Sequence, residues 1–101
     1  MESVGVGSVR EEMLRELDRI TIRLTSLNPE RLAAMDEPVF HCASRILRAT
    51  DGYDVDHELP RVGPNAYAAQ LTVLTRELLV SNPNGESDAA AALTELRQSL
   101  P

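Results

Sequence analysis

The chain has 101 residues, 43% of them hydrophobic and 26% charged, with a formal net charge of −6. That length accommodates one domain with one modest core, and the apolar content is that of a globular chain rather than a disordered one. All ten cationic residues are arginines, which excludes a Schiff-base lysine, a lysine general base and a Walker-type phosphate loop.

The acidic balance disfavours sequence-independent nucleic-acid binding, which draws its affinity from cations laid on phosphates. It disfavours docking on anionic lipid for the same reason. Neither nucleic acid nor membrane is therefore expected as a partner, and no motif calls for a cofactor. Cys42 is the single cysteine, so no intramolecular disulfide forms and a reducing cytoplasm is expected. No basic start followed by an apolar run opens the chain, so a signal peptide is not expected. Arginine without lysine, together with many alanines and leucines, points to a GC-rich bacterial coding sequence.

Residues 1–7 (MESVGVG) are small and Gly-rich and read as a flexible tail, with a single domain over 8–101. The first helix is predicted from Ser8 to Leu27. Ser8 and Glu11 have capping-box spacing. Met13, Leu17, Ile20, Leu24 and Leu27 recur at steps of four and three, so they form one apolar stripe along it. Arg10, Glu11, Glu12, Arg15, Glu16, Arg19 and Arg23 are placed on its exposed face. Asn28 and Pro29 end this helix and cap a short second one, expected to reach Met35. Asp36 is read as the cap of a third helix extending to Ala49, with Val39, Phe40, Ala43, Ile46 and Leu47 on its apolar side. Thr50, Asp51 and Gly52 form a stop signal.

Residues 51–63 (DGYDVDHELPRVG) lack helical or strand periodicity. So long a loop in so small a domain is often functional, with Leu59 and Val62 as candidate anchors to the core. Gly63 and Pro64 open a fourth helix that runs to Ser81. Its main stripe is Tyr67, Leu71, Leu74 and Leu78; a second apolar set holds Ala66, Ala69, Val73 and Val80. With Arg76 and Glu77 as its only charges, this helix is expected to be buried on more than one side. It is too short and too polar to span a membrane. A turn at 82–85 leads to a last helix, Ala89 to Ser99, capped by Ser87 or Asp88, with Leu93, Leu96 and Leu100 on its apolar edge.

Three groups of residues invite a chemical reading. Asp51, Asp54, Asp56, His57 and Glu58 supply oxygens and an imidazole within one loop. Their spacing is not that of a calcium-binding loop, and a solvated acidic turn without metal is the expectation. His41 and Cys42 are adjacent, but neighbours on a helix diverge by about 100°. Cys42 falls on the apolar side, where a thiol acts as a small hydrophobe, so no catalytic residue is assigned. Finally, Arg15 and Arg19 on the first helix, with His41, Arg45 and Arg48 on the third, could clamp a carboxylate or phosphate if the fold brought them together.

The stretch RELDRITIRLTSL, residues 15–27, resembles the opening helix of the all-helical chorismate mutases. Those small helical dimers bind a dicarboxylate through arginine, which the resemblance would place here as well. Pro29 and Pro38 break the long first helix that family needs, and its active-site lysine has no counterpart, so membership does not follow.

The expected architecture is all-α, a small bundle or orthogonal array of four main helices plus one short helix. The expected role is that of a non-catalytic protein–protein interaction module, self-associating as a homodimer. The interface residues are Leu17 and Leu24 on the first helix and Ala69, Val73 and Val80 on the fourth. The alternative is a small helical enzyme or binding protein that holds an anionic metabolite through its arginines. A DNA-binding regulator is the third and weakest reading, because the fourth helix carries only one cation.

Overall fold

A computed structural model describes residues 8–51 and 59–101. The expected Gly-rich tail and the acidic stretch from Asp54 to Glu58 lie outside those residues. Of the described residues 86% are helical, without strands. The helices are α1 (Ser8–Ser26), α2 (Pro29–Ala33), α3 (Asp36–Asp51), α4 (Tyr67–Ser81) and α5 (Glu86–Ser99), with 3₁₀ turns at Pro64–Ala66 and Pro83–Gly85.

The Asn28–Pro29 signal is realised as read. Pro29 occupies the first turn of α2, and the Asn28 carboxamide oxygen accepts from the Arg31 amide at 2.8 Å. The helix is shorter than expected, ending at Ala33, and α3 begins at Asp36 after a two-residue turn. The start of α5 also departs from expectation. No side chain caps it: the helix grows from Gly85, directly out of the 3₁₀ turn, three residues before Ala89. Ser87 and Asp88 therefore lie inside its first turn.

Cross-helix contacts fix the topology. Arg10 pairs with Glu86 near the starts of α1 and α5, and Arg23 reaches the Pro101 oxygen beyond their far ends, so these helices run parallel. Tyr67 meets Asp36 at the starts of α4 and α3, and Asn82 donates to the Ala49 carbonyl at their ends, so these also run parallel. The two pairs are opposed. α4 and α5 lie between α1 and α3 and carry the packing that joins them.

A parallel α3–α4 pair explains the length of the connection between them. Sixteen residues of α3 rise about 24 Å, and the chain has to return over that distance before α4 can start. At the end of this connection Leu59 and Val62 pack against the core, as expected. Arg61 stacks over the Phe40 ring, 3.8 Å from its centroid, and pairs with Asp36 at 2.5 Å and Glu37 at 3.2 Å. Gln70 donates to the Pro60 carbonyl at 3.1 Å. The segment 59–62 is thereby strapped across the starts of α3 and α4.

The core is aliphatic. Met13, Leu17, Ile20 and Leu24 of α1 meet Val39, Cys42, Ala43 and Ile46 of α3, Tyr67, Leu71 and Leu78 of α4, and Ala89, Ala92, Leu93 and Leu96 of α5. Gly85 is buried because α5 starts against α3: a Cβ there would lie 3.0 Å from the Ala49 carbonyl oxygen and 3.2 Å from its Cβ. One residue assigned to the exposed face of α1 is instead internal. Glu16 is only 5% exposed, because α5 covers that edge of the helix. Its charge is met by Arg97 of α5 and by Arg19, the latter at 3.4 Å.

Candidate interaction face

In this bundle α4 has α1 on one flank, α3 on the other and α5 across the core. Tyr67, Leu71, Thr75 and Leu78 face inward and are buried. The helix's remaining side points out of the molecule. Burial on several sides does not extend to the second apolar set: Ala69, Val73 and Val80 stay on the surface. Val73 is 62% exposed and Val80 83%, and Ala69 is exposed with them.

Beside this stripe the strap forms a wall. Leu59, Pro60 and Val62 stand on one side, Ala66, Val73 and Leu74 on the other, enclosing an open groove of about 440 Å³. Its lining is apolar apart from Gln70, whose amide nitrogen is directed to the Pro60 carbonyl.

The α1 residues expected at the interface do not lie on this face. Leu17 is 8% exposed and Leu24 2%, both packed inside the chain's own core. The apolar groups that α1 does expose are Val9, Leu14 and Ile22, all outside its core stripe.

The arginines expected to converge on an anion are dispersed. Arg15 and Arg48 are exposed. Arg19 is engaged by Glu16, and Arg45 by Glu95 of α5 at 2.9 Å. His41 and Arg45 line a shared cleft with Cys42, Glu95 and Ser99, but no residue of α1 borders it. Its volume of about 70 Å³ is well below the roughly 300 Å³ at which ligand pockets begin, and the Glu95 carboxylate would repel an anion there. Among the described residues, no group of three metal-ligating side chains could hold an ion.

Cys42 is buried, and desolvation pushes its thiol up to about 12, with Arg45 lowering and Glu95 raising it to lesser extents. At neutral pH it is a protonated hydrophobic group, not a nucleophile. His41, next to it in sequence, is exposed. Tyr67 is likewise raised to about 12, first by burial and then by the hydrogen bond its hydroxyl donates to Asp36.

A second cavity, about 530 Å³, lies at the opposite end of α1 from its start, among Leu24, Leu27, Pro29, Leu32, Pro64 and Ala68. No charged side chain lines it. No local sequence signal marks it, because it forms where α2 and the 3₁₀ turn before α4 meet across the fold.

No family model, curated protein or solved structure matches this chain. Among the described residues, no helix is long and apolar enough to cross a membrane.

Proposed function

We propose that the chain is a non-catalytic interaction module that self-associates through the outer face of α4. The observation that carries this reading is the exposure of Val73 and Val80 on a helix whose opposite face already fills the core. Isolated exposed valines are ordinary on a protein surface. Here Val73 borders an apolar groove, and Val80 lies two turns further along the same side of α4. A two-fold dimer covers such a surface with its own copy and needs no second gene product. A small aliphatic core also gains from the added burial. Cytoplasmic location accords with a lone, buried thiol.

Light scattering on the wild type and on Val73→Glu tests the reading. A dimeric wild type at tens of micromolar and a folded, monomeric variant are expected. A monomeric wild type over the same range would refute self-association.

A further inference from the structure

On the same reading of α4 as a self-association surface, we propose that the two copies pair with their α4 helices parallel, so that Arg76 of each lies against Glu77 of the other. These two charges flank the apolar stripe. At 3.6 residues per turn, Ala69, Val73 and Val80 fall within an arc of about 40°. Arg76 lies about 40° to one side of the midline of that arc and Glu77 about 60° to the other. Both side chains are exposed. The stripe therefore has one cationic edge and one anionic edge at nearly the same height.

Two-fold symmetry allows two ways of pairing such a face with itself. In a parallel pair the axis runs along the helices. It turns the Arg76 edge of one copy toward the Glu77 edge of the other, with the two charges separated by only about 1.5 Å of rise. Both ion pairs form, and Val73 and Val80 each meet their own counterpart. In an antiparallel pair the axis runs across the helices, and it sets like edges together. Centred between Arg76 and Glu77, that arrangement places glutamate beside glutamate and arginine beside arginine. Centred on Val73, it moves the charges apart, forms neither ion pair and leaves Val80 level with the 3₁₀ turn that precedes the facing α4. The parallel arrangement covers the apolar stripe and pairs both charges.

Sedimentation of Arg76→Glu, of Glu77→Arg and of their equimolar mixture tests this, with circular dichroism confirming that each variant folds. Each variant alone should dimerise about tenfold more weakly than the wild type, because two attractive pairs become two repulsive ones. The mixture should form heterodimers at wild-type affinity, since every pair in it is again opposite in charge.

Cross-linking in a Cys42→Ala background reads the register independently. Under mild oxidation Val80→Cys should form a disulfide with itself, which requires the two positions to face each other. A cross-link between Val80→Cys and Ala66→Cys chains, with none of Val80→Cys to itself, would overturn the parallel pairing. So would a dimeric wild type whose charge variants gain nothing on mixing. Both results leave self-association intact. A monomeric wild type would remove both readings together.

Discussion

The inner and outer apolar stripes of α4 are built from similar residues and occupy opposite environments. Leu71 and Leu78 on the inner side are fully buried, whereas Val73 and Val80 on the outer side are mostly in water. Inner and outer residues alternate along the same helix, so neither propensity nor local flexibility separates them. The difference is supplied by the neighbours: α1, α3 and α5 close three sides of α4, and only the strap at 59–62 approaches the fourth. Apolar periodicity by itself thus identifies a surface that needs a partner, without saying whether the partner belongs to the same chain.

Substitutions on the two stripes should separate accordingly. Leu71→Ala removes a fully buried side chain and is expected to destabilise the fold by about 3 kcal/mol. Val73→Ala should change monomer stability by less than about 0.5 kcal/mol, and so should report on association alone. Denaturant titration at low protein concentration measures both. Equal losses at the two positions would show that the outer stripe is internal after all.

The seam between α1 and α5 offers a polar counterpart to the inner stripe. Glu16 is buried there under Arg97, while Arg45 and Glu95 pair in the open, their side chains 28% and 65% exposed. Glu16→Ala should cost about 2 kcal/mol, since it strands a partly buried guanidinium. Glu95→Ala should cost less than about 1 kcal/mol. A double-mutant cycle with Arg97→Ala would show how much of the Glu16 effect belongs to the pair.

Thr75 sharpens the comparison from within the inner face. It is fully buried, and its hydroxyl has no hydrogen-bond partner among the described residues. Thr75→Val keeps the shape and removes the unsatisfied group, so a gain of about 1 kcal/mol is expected in the same titration. A loss instead would indicate that the hydroxyl is satisfied in solution.

The smallest effect expected at neutral pH concerns titration. Tyr67 and Cys42 both have folded-state values raised to about 12, so each holds its proton more tightly folded than unfolded. Their contribution to stability is complete below the unfolded values and is lost as pH rises through the alkaline range toward 12. Tyr67→Phe in a Cys42→Ala background should flatten that alkaline decline without altering the neutral-pH slope. An unchanged decline would place the responsible groups elsewhere.

Much of this arrangement was legible in the sequence, and the rest was not, for physical reasons. The α1 ladder from Met13 to Leu24 is entirely internal, because four-and-three spacing is the geometry of a helix against a core. Asn28 and Pro29 were readable because capping is local chemistry. Glu16 was misread because a carboxylate at the edge of a stripe looks solvated until a distant Arg97 is brought to it. The start of α5 was misplaced because the helix grows from a backbone turn and needs no side-chain cap. The parallel course of α3 and α4 was hidden because no local signal encodes it. For the same reason the clean ladder of α1 suggested an interface that the fold places in its core, while the outer stripe of α4, interrupted by Arg76 and Glu77, remained exposed.

Thermal unfolding followed across a wide range of protein concentrations tests most directly whether that stripe binds a second copy. Association of folded chains makes Tm depend on concentration. The account predicts a Tm that rises with concentration for the wild type and stays constant for Val73→Glu, with the two converging at high dilution. A wild-type Tm independent of concentration, matched by an unaltered profile in Val73→Glu, would contradict it.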